Sequence, residues 1–139
     1  MNRPAKYATA IVVAHRLVNI AHDLAHRELR VGLAPPASIF VMVVVLIFPL
    51  LAIVLLWTAE KRLGLILLSL SMFGSLLFGL YHQFLAVSPD HFYSQPSCAW
   101  ETTFVLTAYL LLITEAIGTY VGVHFLRIAK ESSNKAAKA

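Results

Sequence analysis

The sequence predicts an all-α integral membrane protein: a four-helix transmembrane bundle, antiparallel and up-down-up-down, with both termini cytoplasmic. Three observations carry this. Hydrophobic residues make up 59% of the 139-residue chain and charged residues only 13%, with mean hydropathy +0.76, well outside the balance of a soluble domain. Apolar runs long enough to cross ~30 Å of hydrocarbon recur along the chain. Lysine and arginine gather in alternate connections, as they do in cytoplasmic segments.

Helices are expected over roughly 5–31, 37–59, 62–87 and 99–130, forming one transmembrane domain over 1–131 with a basic cytoplasmic tail at 132–139. The run PASIFVMVVVLIFPLLAIVLLWTA is apolar almost without interruption, and Pro49 within it predicts a kink that neighbouring helices can absorb. The turn AEKR follows, and Lys61 and Arg62 place it in the cytoplasm. LGLILLSLSMFGSLLFGLYHQFLAV crosses back, and the loop SPDHFYSQPSCA, without lysine or arginine, lies outside. The last helix begins near Trp100 and carries Glu115 in its interior, and Arg127, Lys130, Lys135 and Lys138 return the chain to the cytoplasm. Trp57 and Trp100 fall at interfacial depth, where indoles are favoured. The N-terminus runs from a short apolar stretch straight into His15-Arg16, so it reads as mature sequence rather than a cleaved signal. A bacterial inner (plasma) membrane is the expected location.

The first helix is the unusual one. In HRLVNIAHDLAHRELR, residues 15–30, His15, Asn19, His22 and His26 fall within about 60° of one another on a helical wheel. Arg16, Asp23, Arg27 and Arg30 widen that polar arc to about 140°. Two readings stand: a first transmembrane helix with its polar edge facing a bundle, or three spans plus an interfacial N-terminal helix. A spanning helix places Arg3 and Lys6 inside and makes every cytoplasmic segment basic, which favours the four-helix form.

That topology delivers polar groups to one face of the membrane. His22 and His26 lie within roughly 5–10 Å of the outer end of the first helix on a helical rise. His82 approaches the outer end of the third helix, Asp90 and His91 sit in the outer loop, and Glu101 begins the fourth helix. His22 and His26 form HxxxH, which stacks two imidazoles on one helical face within reach of one ion. The candidate metal ligands are therefore His22, His26, His82, His91, Asp90 and Glu101, a nitrogen and oxygen set that suits zinc, copper or iron. A haem held between helices is the other form of cofactor, with His22 or His26 on one side and His82 on the other. HxxxH is also a frequent chance pattern, and a purely structural polar core without any cofactor is the plain counterpart.

Deeper in the bundle, His15 and Arg16 lie roughly 21 Å from the outer end of their helix, and Glu115 about as deep in its own. An ionisable group at that depth needs a partner, so His15 or Arg16 is expected to contact Glu115. Small residues mark the packing seams. Ser71, Ser75, Gly79 and His82 share a stripe on the third helix, and Glu101, Ala108, Glu115, Gly118, Thr119 and Gly122 share a face of the fourth. His124 lies opposite Glu115 and belongs to no site.

These residues predict a small membrane protein whose extracytoplasmic histidine–carboxylate cluster binds a transition metal or haem, for electron transfer, metal handling or assembly. Two alternatives compete: a non-catalytic scaffold subunit of a larger membrane complex, and a proton-coupled transporter using Glu115. Partners are the lipid bilayer and, through the small-residue faces, a second copy or a larger complex; the basic excess of +4 reports orientation, not nucleic-acid binding. There is no phosphate-cradling loop, no HExxH, no CxxCH and no recognisable catalytic triad, so the sequence supplies no enzymatic assignment. The single cysteine, Cys98, can form no disulfide within the chain.

Overall fold

The computed structural model describes residues 3–87, 90–91 and 99–136, and these are all-helical, with no strand among them. Helix α1 spans Arg3–Glu28. Helix α2 runs over Pro35–Trp57, α3 over Lys61–Leu85 and α4 over Ala99–Ala136. Among the described residues, α2, α3 and α4 are long and apolar enough to cross a membrane.

Helix α1 stops through a Schellman motif. Val31 N–H donates to the His26 carbonyl (2.9 Å) and Arg30 N–H to that of Arg27 (3.2 Å), with Arg30 in the left-handed region at φ 55°. Glycine is the usual residue there; an arginine at this position is held at a conformational cost of about 1 kcal/mol. Pro35 and Pro36 then open α2, where a missing N–H costs nothing.

Pro49 does not break α2. The turns immediately before it, Val41–Ile47, widen to π-helical bonding, and α-helix resumes at Phe48. The wider turn accommodates the proline ring, which would otherwise strike the carbonyl one turn back. A second π-helical stretch, Leu80–Leu85, closes α3. Helix α4 continues through Ser132 and Lys135 to Ala136, so most of the segment expected as a separate tail is helical.

Helix α4 packs extensively against both α3 and α1; α2 packs against α3 and much more lightly against α1. Contacts between α1 and α4 progress in opposite directions along the two chains: Tyr7 meets Phe125, His15 meets Thr114 and His22 meets Thr107. The indole N–H of Trp57 donates to Thr9 Oγ1 at 3.1 Å, bringing the end of α2 to the start of α1. The apolar core, with Ala5, Ala8, Val12, Ala52, Leu56, Leu65, Leu68 and Met72, occupies this same end.

Glycines bring the backbones together. A Cβ on Gly122 would stand 3.1 Å from the Ser69 nitrogen and 3.2 Å from the Leu65 carbonyl, besides meeting Ser69 Oγ. One on Gly64 would stand 2.9 Å from the Ala52 carbonyl. These close approaches are what small residues permit where lipid provides no hydrophobic drive for association. Gly118 and Gly122 are buried as the sequence pattern predicts, together with Ala108 and Glu115, while His124 is exposed and stacks on Tyr120.

Candidate metal centre

The polar edge of α1 divides. His15 and His22 are buried, Asn19 and His26 partly so, and Asp23 and Arg27 turn outward to form an exposed i,i+4 ion pair at 2.7 Å. The inward group meets two threonines of α4. His15 and His22 are seven residues apart, as are Thr107 and Thr114, so two antiparallel helices present them at matching levels.

At the upper level, Thr107 hydroxyl donates to backbone carbonyls of its own helix, to Thr103 at 2.7 Å or Phe104 at 3.0 Å, and so accepts from His22 Nδ1–H at 2.8 Å. His22 Nε2 then carries the lone pair and meets the Gln83 amide at 2.9 Å. The lower level repeats this logic: Thr114 Oγ1 accepts from His15 Nδ1–H at 3.2 Å, and Asn19 Nδ2 donates to His15 Nε2 at 2.9 Å.

His26 stands at the mouth of the bundle. Its Nδ1–H donates to the Val31 carbonyl at 3.2 Å, a bond created by the Schellman turn that folds Val31 back beneath the helix end. A carbonyl can only accept, so the proton belongs on Nδ1 and Nε2 faces away from the turn. Nε2 comes to 3.1 Å from Asp90 Oδ1. That carboxylate is only 3% exposed, and Oδ1 has no donor aligned for a hydrogen bond despite the short distance. Phe104, fully buried, packs against both rings, with its centroid 4.8 Å from His22 and 5.1 Å from His26.

One ligand atom from each of His22, His26 and Asp90 lies within 4.8 Å of the others, so the three form a group that could hold a metal ion. Two ligands at ~2.05 Å from a tetrahedral ion stand about 3.3 Å apart, close to the His26–Asp90 separation. Thr107 and the Val31 carbonyl fix both imidazoles through Nδ1, the role that outer hydrogen-bond partners play around bound metals. An ion at His22 Nε2 would take the place of the Gln83 amide nitrogen that meets it there.

Other expected ligands stand elsewhere. His82 is half-buried on α3 with its ring 4.3 Å from Phe78 and 5.2 Å from Tyr81, and it does not line the cavity beside His22. The π-helical turn explains this: bonding to i+5 adds about one residue to the turn, so Gln83 takes the inward position that an unbroken α-helix would give His82. The expected haem sandwich between His82 and His22 or His26 is therefore not assembled. His91 is half-buried outside the three-residue group, and Glu101 lies in the first turn of α4, where its charge faces the positive end of the helix. Cys98 falls outside the described residues.

A cavity of about 540 Å³ descends from this group through the bundle, reaching Ser75, Gly79 and Glu115. Arg16 and Glu115 both border it, but the expected contact of Glu115 with Arg16 or His15 is not made among the described residues: no cation lies within ion-pair distance of the carboxyl. His15 is satisfied by Thr114 and Asn19 instead.

Comparison with models of protein families, with curated proteins and with solved structures finds no match, so the chemistry of these side chains stands by itself.

Proposed function

We propose that this chain is a four-span membrane protein whose outer end binds one divalent transition-metal ion between His22, His26 and Asp90. The observation that carries the metal is the His26–Asp90 contact: a partly buried imidazole nitrogen and a buried carboxylate oxygen at 3.1 Å with no aligned hydrogen bond, beside a second imidazole. Two imidazoles and a carboxylate with an open position suit zinc, copper(II) or iron(II). Metal handling, assembly or electron transfer are the roles such a centre serves in a small bundle.

The fourth span is supported by the inverted surface of α1. Its outer face exposes Val13 (51%), Leu17 (64%) and Ile20 (56%), while His15 and His22 are buried. A helix that hides polar groups and displays apolar ones fits hydrocarbon surroundings, and the polar inner face is why its hydropathy falls below that of the other spans. Its 26 residues extend roughly 39 Å, more than the hydrocarbon thickness. Contacts of Thr9 with Trp57 and Tyr7 with Phe125 bring Arg3, Lys6, Lys61, Arg62 and Arg127 toward one end. By the positive-inside rule that end is cytoplasmic, in a bacterial inner membrane or its equivalent.

A second reading is favoured by the same contact: a His26 imidazolium clasping Asp90 as an ion pair would tie the outer loop to α1 without any metal. Elemental analysis separates the two. Protein purified in detergent and dialysed against zinc-supplemented buffer should retain one ion per chain, and His22→Ala with Asp90→Asn should retain none. Wild-type protein that keeps no more zinc than the double variant would leave only the clasp.

A further inference from the structure

The cavity beneath the metal group holds three polar functions that the metal does not use. Gln83 is 94% buried by its 6% exposure, and its Oε1 has no hydrogen-bond partner. Whichever way that amide is turned, one polar atom meets His22 and the other is left over. Glu115, 4% exposed, has no cation at ion-pair distance among the described residues, and neither does Arg16 have a carboxylate. A buried amide oxygen left unmet is costly. Beside it stand a buried carboxyl and a half-buried guanidinium without ion-pair partners among the described residues, and together they point to an occupant.

Their arrangement describes its chemistry. Gln83 Oε1 and Glu115 Oε2 lie 3.9 and 3.8 Å from the place where a Cβ on Gly79 would stand, so two acceptors gather at a gap left by the glycine. Arg16, on α1, supplies a donor from a different wall. Between them the lining is largely apolar, and it includes Ile20 and Leu24 of α1 and Val41 and Leu46 of α2, two helices that pack only lightly against each other. The volume, about 540 Å³, is that of an ordinary small-molecule site.

We propose that this cavity binds the ring of a lipid-soluble quinol. One ring hydroxyl donates its single proton to Gln83 Oε1, beside the Glu115 carboxyl, and the oxygen on the opposite edge accepts from Arg16. The ring fills the apolar middle, and the hydrocarbon tail leaves between α1 and α2 into the bilayer. A simple alcohol lacks the second oxygen and leaves Arg16 unmet. A water-soluble polyol leaves the apolar walls unfilled. The proposal rests on the four-span reading, which puts the α1–α2 seam in lipid, and is independent of whether a metal is bound.

The test uses full-length protein stripped of metal by a chelator, in phosphatidylcholine nanodiscs under argon. Equilibrium dialysis with decylhydroquinone should show one saturable site per chain, with decylbenzene and 1-decanol binding at least tenfold more weakly. Gln83→Leu, close in size and without the acceptor, should weaken the hydroquinone at least tenfold, and Gly79→Leu, which fills the gap, should do the same. Circular dichroism checks that both variants fold. Should Gly79→Leu fail to fold, Gln83→Leu alone decides. Uptake that rises linearly without saturation, equal binding of decylbenzene or 1-decanol, or unchanged affinity in Gln83→Leu would each overturn the quinol site. Because metal is absent throughout, none of these results depends on the metal centre.

Discussion

Gly122→Ala tests the closest backbone approach between α3 and α4. The new Cβ meets Ser69 Oγ, which donates to the Leu65 carbonyl at 2.8 Å, as well as the Ser69 nitrogen and Leu65 oxygen at 3.1 and 3.2 Å. Ser69 is buried, so rotating its hydroxyl away sacrifices that bond at a net ~1 kcal/mol. The backbone atoms remain closer than ordinary contact, and separating the helices by a few tenths of an ångström adds ~1 kcal/mol or more of overpacking. Replacing a helical glycine with alanine returns ~1 kcal/mol of propensity. The single substitution should therefore destabilise by ~1 kcal/mol. Adding Ser69→Ala removes the obstructing hydroxyl, and the cycle should show a coupling of ~1 kcal/mol in favour of the double variant. Reversible unfolding in mixed micelles, followed by circular dichroism, measures all four corners. A neutral or stabilising Gly122→Ala with zero coupling would mean that the helices do not meet through Gly122 and Ser69.

Arg30→Gly removes the left-handed arginine that ends α1 and should stabilise the protein by about 0.5–1 kcal/mol in the same unfolding assay; a loss of stability would show that the Schellman turn is not formed. Thr107→Val keeps the side-chain volume but removes the oxygen that accepts from His22 Nδ1–H, and should weaken zinc about 10–100-fold in a competition titration with a chromophoric chelator; unchanged affinity would separate Thr107 from the site. Protons compete with metal for imidazole nitrogen and carboxylate, so bound zinc should be retained at neutral pH and released as pH falls through the ordinary imidazole range; zinc retained well below it would place the ion on other groups. Cysteines introduced singly at Arg3 and Arg27 in a Cys98→Ser background should react with an impermeant maleimide from opposite sides of the membrane, and labelling from the same side would reduce the bundle to three spans.

Much of this arrangement was visible in residue order because helical periodicity is regular where the helix is regular. His22 and His26 share a face in the wheel and share a site in the structure. Asp90 lies in the segment that follows α3 and stands beside them. Gly118 and Gly122 mark a seam by size alone. What was not legible depends on departures from the regular period or on partners with common side chains. The π-helical turn at Leu80–Leu85 exchanges His82 for Gln83, and no residue in LYHQFL announces an extra residue per turn. Thr107 and Thr114 carry no distinguishing chemistry, since threonine is ordinary in an apolar helix, yet their seven-residue spacing copies that of His15 and His22 and is a signal of the pairing. The Glu115 contact failed for a different reason: depth along a helix axis says which residues share a level, and nothing about whether a cavity lies between them.

The uneven contacts of α1 bear on how the protein is made. This helix is synthesised before α4, yet it lies only lightly on α2, its neighbour in sequence, and is held chiefly by α4. Until α4 is made, the hydroxyls that complete His15 and His22 do not exist, and the imidazole edge of α1 has no partner there. Docking of α1 therefore waits on α4, and a nascent chain arrested before Thr107 would hold α1 in a state open to proteolysis and to mispairing with other unfinished copies.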